Sequence, residues 1–269
     1  MNKQKRVALV TGASSGIGNA TLRKLMAAGY TVYGTSRSGI RTSDSPYSML
    51  AMDVTDDTSV QRAVSELLHH EKRIDLLVNN AGVGVTGAAE ESSIEQVQML
   101  FDINVHGVIR VTNAVLPAMR AQQAGRILNI GSALGFIPAP FSAYYSATKH
   151  ALEGYSEALD HEVRGLGIRV TLIEPGATQT SFEANTIKAD RPLQTYDDMR
   201  QRYFRAYEKA MKEADSPESV AETIILAAQD RNPKLRYPSG KSAKQGAFAR
   251  RFIPRSFFDK VLHTQFGLD

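Results

Sequence analysis

Six short runs rich in valine, isoleucine and leucine punctuate the first 176 residues: RVALVT (6–11), YTVYGTS (30–36), YSMLAMD (47–53), IDLLVNNAG (74–82), GRILNIGS (125–132) and IRVTLIEPG (168–176). Each has the length of a strand, and the stretches between them carry apolar residues at helical spacing. In GIGNATLRKLMAAG (16–29), Ile17, Ala20, Leu25 and Ala28 fall near one face, and Gly29 is a stop signal. TDDTSVQRAVSELLHHE (55–71) opens with capping residues and continues as an amphipathic helix. Further helices are expected around 93–119 and from about Tyr144 to Gly165. Such strands, alternating with helices, specify βαβ units and a parallel sheet covered on both faces. The expected fold is α/β, a doubly wound parallel sheet of Rossmann type with helices on both sides. No linker or shift of composition divides the chain. A single domain over 1–269 is expected, with a lid region at 177–215 and a helical and irregular C-terminal extension at 231–269. The run at 168–176 is the last strong strand.

Composition narrows the chemistry. The chain of 269 residues has no cysteine, which excludes disulfides and thiolate metal sites. Its six histidines show no metal-binding spacing: His69 and His70 are adjacent, while His106, His150, His161 and His263 are scattered. No metal site is expected. The net charge of +4 is unevenly placed, because residues 230–269 hold nine Lys/Arg against three Asp, leaving −2 for the first 229. No nucleic-acid motif accompanies that basic tail. The opening MNKQKRVALV is too short in its apolar run for a signal peptide, and no run approaches the roughly 18 apolar residues of a membrane span. A soluble, cytoplasmic protein is the expectation.

VTGASSGIG follows the first strand and opens the first helix. Glycines there allow a tight turn and close approach of a pyrophosphate, which the free N–H groups and dipole of a helix N-terminus favour. The spacing Gly12-x3-Gly16-x-Gly18 differs from the common GxGxxG fingerprint. Its place at the first βα turn still points to a dinucleotide, held by Gly12, Ser14, Ser15, Gly16, Ile17 and Gly18. The second strand ends in GTSRSG, with Arg37 among hydroxyls where an NAD site usually carries a carboxylate. A guanidinium suits a 2′-phosphate, so NADP(H) is expected over NAD(H).

FSAYYSATKHALEG (141–154) sets Tyr144 and Tyr145 side by side ahead of Lys149. On a helix, residues four apart diverge by about 40° and residues five apart by about 140°. Only Tyr145 therefore shares a face with Lys149, whose positive charge favours the phenolate. Tyr145 is the candidate proton shuttle, and Tyr144 is packing or pocket wall.

These stretches, with DVT at 53–55, NNAG at 79–82, INVHG at 103–107, GSALG at 131–135, YSATK at 145–149 and PGATQT at 175–180, resemble the short-chain dehydrogenase/reductase family over at least Val7–Thr180. The resemblance implies that Ser132 binds the substrate carbonyl or hydroxyl and that Tyr145 transfers the proton. It implies that Lys149 holds the nicotinamide ribose and supports Tyr145, and that Asn104 positions a relay water. Asp53 and Val54 are implied at the adenine, and Asn79 as a brace of the central strands. Asn80, Ala81 and Gly82 are implied along the cofactor, Pro175 and Gly176 at the nicotinamide end, and Thr178 and Thr180 at the carboxamide. A homodimer or homotetramer is implied as well.

The candidate pocket walls are VGV (83–85), ALGFIPAPF (133–141) and the lid. Leu134, Phe136, Ile137, Phe141 and Phe182 form an apolar lining suited to a lipophilic carbonyl or alcohol, although Phe136 and Phe141 could equally be core. The arrangement is most similar to the 17β-hydroxysteroid and retinol dehydrogenase-like branch. The alternatives are a 3-oxoacyl-thioester reductase and a non-catalytic dinucleotide sensor. The tail carries Phe248, Phe252, Phe257, Phe258 and Phe266 beside Arg250, Arg251, Arg255 and Lys260. The favoured reading is a terminal helix packed on its own domain; a peripheral membrane contact, a cap on the pocket and a subunit contact are the other readings.

Overall fold

The computed structural model describes residues 5–39, 47–183 and 185–268. The polar loop at 40–46 and the lid residue Ala184 lie outside them. In chain order the strands are β1 (Val7–Val10), β2 (Thr31–Ser36), β3 (Ser48–Ala51), β4 (Leu76–Asn79), β5 (Val85–Thr86), β6 (Gly125–Ile130), β7 (Ile168–Pro175), β8 (Ile187–Lys188) and β9 (Arg236–Ser239). The helices are α1 (Gly16–Ala27), α2 (Asp57–Glu71), α3 (Ile94–Phe101), α4 (Gly107–Gln122), α5 (Ala143–Val163), α6 (Asp197–Lys212), α7 (Pro217–Gln229), α8 (Lys241–Phe252) and α9 (Arg255–Gln265).

Seven strands pair in parallel in the order β3-β2-β1-β4-β6-β7-β9, and β5 pairs with β8 apart from them. Strands β1 and β4 are buried throughout, as a sheet covered on both faces requires. One apolar layer joins Leu9, Leu77, Ile127 and Val170 to Val60, Val64 and Leu67 of α2 and Val111 and Val115 of α4. The opposite layer joins Ala8, Val10, Val78 and Leu128 to Leu22 and Leu25 of α1 and Ile224 of α7. Helix α2 starts where the sequence indicates: the Asp56 carboxylate accepts from the N–H of Thr58 (2.8 Å) and of Ser59 (3.3 Å).

The strand order reverses at β1 and β4. Ligands in open α/β sheets bind beyond the carboxyl ends of strands at such a switch point. Gly12, Arg37, Asn80, Ser132 and Gly176 all lie within two residues of the ends of sheet strands, so the topology gathers them on one edge.

One expectation needs correcting. The C-terminal extension is not only helical and irregular, since Arg236–Ser239 pairs with β7 through Leu172↔Arg236 to Pro175↔Ser239 and closes the sheet. Pro238 masks this strand in the sequence, because proline cannot donate to a ladder. At the edge of a sheet that loss is tolerated.

Candidate active site

The turn after β1 has the shape of an anion cradle. Gly12 (φ +62°) and Gly16 (φ +51°) adopt backbone conformations that favour glycine. A Cβ on Gly12 would lie 2.7 Å from the Ala81 Cα, and one on Gly18 only 2.4 Å from the Gly12 carbonyl oxygen. Asn80 holds the turn from beneath: its Nδ2 donates to the carbonyls of Thr11 (3.0 Å) and Gly12 (2.9 Å). The Thr11 hydroxyl accepts from the N–H of Asn80 and of Ala81, each at 3.0 Å. Helix α1 begins with no side-chain cap on its N–H groups and no acidic residue in its first turn. Those N–H groups and the exposed Ser14 and Ser15 fit a pyrophosphate. Thr180 lies over this turn, 3.3 Å from where a Cβ on Gly16 would sit, and the Ser181 hydroxyl donates to that of Ser15 (3.2 Å).

At the end of β2, Arg37 and Ser38 are exposed, and the Ser36 hydroxyl accepts from the Gly39 N–H at 3.1 Å. Asp53 is held below the usual aspartate value by hydrogen bonds from the Thr55 N–H and hydroxyl; burial opposes this, and the charges of Arg37 and Arg110 assist. Arg37 and Asp53 thus face the same neighbourhood. Val54 packs on Gly107, with Val54 Cγ2 2.8 Å from a Cβ placed there. Thr178 turns its hydroxyl back to the Gly176 carbonyl (3.1 Å), and the Gly176 N–H donates to the Ser239 carbonyl (3.2 Å).

The proton-transfer candidates converge from three elements. Ser132 follows β6, and its hydroxyl accepts from the Leu134 N–H at 3.1 Å. Tyr145 and Lys149 lie one turn apart on α5, with Lys149 Nζ 5.5 Å from the Tyr145 ring centre. The Ser132 hydroxyl is near enough to that of Tyr145 to favour its ionised form. Asn104 lies in a π turn (Asp102–His106) between α3 and α4, an interruption often found at functional sites. Its amide is pinned on both sides, accepting from the Val83 N–H and donating to the Val83 carbonyl, each at 2.9 Å. It also donates to Thr148 (3.3 Å), whose hydroxyl returns to the Tyr145 carbonyl (2.7 Å). Asn104 therefore ties the π turn to the helix that carries Tyr145. Behind these groups the buried Asn79 Nδ2 donates to Thr112 (3.1 Å) and Asn129 (2.9 Å), bracing β4 against α4 and β6.

The net shift of Tyr145 runs opposite to the lowering expected from Lys149, because burial dominates. Burial drives the Tyr145 hydroxyl well above the usual tyrosine value; the Ser132 hydroxyl opposes this and the nearby Tyr207 adds to it. Lys149 shares the same desolvation, which pulls it down to about 8 against the support of the Glu153 carboxylate. Its ammonium is also engaged, donating to the Ile130 carbonyl at 2.8 Å. Low dielectric outweighs the helical neighbour.

The lid divides the candidate pocket walls. Phe182 stands over Tyr145 with ring centres 5.7 Å apart. Phe141 belongs to the core: it is 5% exposed and packs on Tyr203 (5.2 Å) and Tyr196 (6.5 Å). Tyr207, which no sequence motif singles out, reaches the surroundings of Tyr145 from α6. The available signal is Tyr196, Tyr203 and Tyr207 at helical spacing, which the fold gathers into one aromatic cluster with Phe204 and Phe266. Glu91, 1% exposed, clasps the lid to the body by accepting from the N–H of Ala88 and Leu193, each at 2.7 Å, and pairing with Arg200. Asp190 accepts from the Ser93 N–H (2.8 Å) and hydroxyl (2.6 Å).

The tail packs partly as a terminal helix would. Phe258 is buried and Phe266 lies against Tyr203, while Phe248, Phe252 and Phe257 are exposed. Among the described residues, no helix is long and apolar enough to cross a membrane, and no three His, Asp or Glu gather as a metal site.

A sheet-edge dinucleotide cradle beside a Ser–Tyr–Lys constellation defines a nicotinamide-dependent oxidoreductase. Residues 6–191 match the model of the short chain dehydrogenase family, and the chain belongs to that family. It is 38% identical over 239 residues to the 3-ketodihydrosphingosine reductase of Bacteroides thetaiotaomicron, covering 88% of each. It is 36% identical over 268 residues to the 17-beta-hydroxysteroid dehydrogenase type 1 of Mus musculus, covering 92% of this chain and 75% of the relative. The crystal structure of a short-chain dehydrogenase from Streptomyces avermitilis superposes along the whole of both chains, with a TM-score of 0.85 and 32% identity. The protein is an NAD(P)-dependent dehydrogenase/reductase.

Proposed function

We propose that the protein is an NADPH-dependent reductase of lipophilic ketones or aldehydes, with Tyr145 as proton donor. The observation that carries this reading is the convergence of Ser132, Tyr145 and Lys149 beneath Phe182, beside the cradle of Gly12–Gly18. The bound nicotinamide supplies the hydride. Ser132 and Tyr145 hydrogen-bond the carbonyl oxygen and stabilise the charge that develops on it. Burial keeps the Tyr145 phenol protonated, which suits it to donate in the direction of reduction. Lys149 holds the ribose and keeps positive charge near the phenol. Asn104, locked to Val83, keeps the π turn in register with α5. Arg37, exposed at the end of β2 without a carboxylate beside it in sequence, holds the 2′-phosphate. The aromatic lid supports an apolar substrate, and the reductase that acts on a ketodihydrosphingosine and the hydroxysteroid dehydrogenase among the relatives are consistent with one.

The test is steady-state turnover on a panel of long-chain and steroid ketones, small polar ketones and 3-oxoacyl thioesters, with NADPH and NADH compared. Turnover of the apolar set with NADPH is expected, and Arg37→Asp should reverse the cofactor preference. Selective turnover of 3-oxoacyl thioesters would replace the substrate reading. Cofactor binding without any turnover would favour a sensor.

We further infer a cytoplasmic homodimer or homotetramer whose tail rests on anionic lipid. The exposed Phe248, Phe252 and Phe257 lie on helices that carry Arg250, Arg251, Arg255 and Lys260, with Asp259 opposing. Apolar surface rimmed by positive charge suits an anionic interface. Co-sedimentation with phosphatidylserine vesicles, lost in a Phe248→Ser/Phe252→Ser variant, is expected. Equal recovery with neutral vesicles, or none at all, would overturn it.

A further inference from the structure

Lys149 has a neighbourhood that the reaction as described does not use. One turn further along α5 lies Glu153, 9% exposed, and facing it from β7 is Glu174, 1% exposed. Both carboxyl groups stand within 4 Å of one atom, Arg236 Nε, at 2.7 Å from Glu153 Oε2 and 3.7 Å from Glu174 Oε1. No N–H or O–H of another described residue reaches Oε1 of either. Two buried carboxylates around one guanidinium nitrogen repel, which favours a proton on one of them.

The local charges leave room for that proton. Arg236 of β9 donates from Nε to Glu153 Oε2 at 2.7 Å, stands 3.7 Å from Glu174 Oε1, and donates from Nη2 to Glu157 Oε2 at 2.9 Å. One guanidinium, two-fifths exposed, thus serves three carboxyl groups. Lys149, whose charge the Glu153 carboxylate supports, and His150, on the exposed side of α5, are the further cationic groups near Glu153. From the loop after β6, glycine backbone approaches Glu153. A Cβ on Gly135 would lie 3.2 Å from Glu153 Oε1, and one on Gly131 3.5 Å from it. The two glycines of GSALG therefore make the space that the Glu153 carboxyl occupies, directly behind Ser132. With one proton between Glu153 and Glu174, the group of Lys149, Glu153, Glu157, Glu174 and Arg236 is neutral.

We propose that Glu153 and Glu174 hold a single proton between them, and that the ionised Glu153 is a positioning residue that keeps Lys149 charged beneath Tyr145. Glu174 acts as the proton's holder, so that Glu153 stays ionised although it is buried. Burial raises both acids, Glu174 to about 8 with the Glu153 charge adding and Arg236 opposing. Burial lowers Lys149 to about 8, and the Glu153 charge resists that loss. Without Glu153, Lys149 would give up its proton at a lower pH.

The proposal rests on the role assigned to Lys149, and its test separates the two. The pH dependence of ketone reduction should fall on the alkaline side as Lys149 deprotonates. Glu153→Gln should move that limb down by at least about one pH unit. Glu174→Gln, whose amide can still donate to Glu153, should leave the limb in place. Equal limbs in wild type and Glu153→Gln would overturn the coupling to Lys149. Infrared spectroscopy reads the pair without relying on activity, and its first reading needs only the wild-type protein. Wild-type protein at pH 7 should show the carbonyl stretch of a buried protonated carboxyl, and Glu174→Gln should lack the part due to the pair. No such band in wild type would overturn the shared proton. If Lys149→Met kept full activity while the band persisted, the role of Lys149 would fail and the proton pair would stand.

Discussion

Helix α5 buries acid at two places and treats the two in opposite ways. Near its C-terminal end Asp160, fully buried, is saturated with partners: Arg164 Nη2 at 2.5 Å, Arg169 Nε at 2.9 Å and the Val170 N–H at 2.9 Å. Two turns earlier Glu153 shares a single arginine with Glu157 and Glu174 and keeps a buried oxygen that no N–H or O–H of another described residue reaches. Burial alone would raise Asp160, yet the hydrogen bonds from Arg169, Arg164 and Val170 hold it down at about 2. Glu153 stays raised. A saturated charge is fixed and can only hold structure. An under-neutralised one responds to what lies beside it, and here that is the Lys149–Tyr145 turn. The first half of α5 is therefore the reactive end and the second half the anchor.

Substitutions at the reactive end should change rate and spare stability, while those at the anchor should do the reverse. The largest effect is expected for Tyr145→Phe, which removes the proton donor. Loss of kcat by about 10³-fold is expected, with NADPH binding by fluorescence unchanged; retention of kcat would break the assignment. Next comes Asp160→Ala, expected to lower unfolding free energy by about 3 kcal/mol in urea titration, with kcat intact below the transition. The same anchor has a pH signature. Asp160 sits below its ordinary value of 3.8, so its stabilisation is complete above about pH 4 and is lost as pH falls toward 2. A shift of that size corresponds to about 2 kcal/mol, which the Asp160→Asn variant should lack in acid-unfolding curves. Smallest is Tyr144→Phe, one residue from the catalytic position but turned away from Lys149 on the helix. It should change kcat by less than about threefold, since the phenol it loses lies outside the proton path.

Part of this protein is legible from local chemistry alone. The strands and helices on both sides of the phosphate turn follow from runs of apolar residues and their spacing. So does the choice of Tyr145 over Tyr144, because a helix offers one partner at four residues. Asn79, placed as a brace from resemblance, does brace, by hydrogen bonds to Thr112 and Asn129.

Other features belong to the tertiary structure alone. The edge strand Arg236–Ser239 is invisible locally, since Pro238 argues against a strand until the sheet supplies an edge for it. Phe141 and Phe182 look alike in sequence. Only the fold sends one into the core with Tyr203 and sets the other over Tyr145. The tuning of the site is the least legible of all. A lysine four residues from a tyrosine suggests a lowered phenol, but burial raises Tyr145 and lowers Lys149 together. The acid that supports Lys149 leans on a partner 21 residues further along the chain, across from a strand. Spacing specifies which side chains share a face; how much water and how many opposite charges surround them is decided only when distant segments pack.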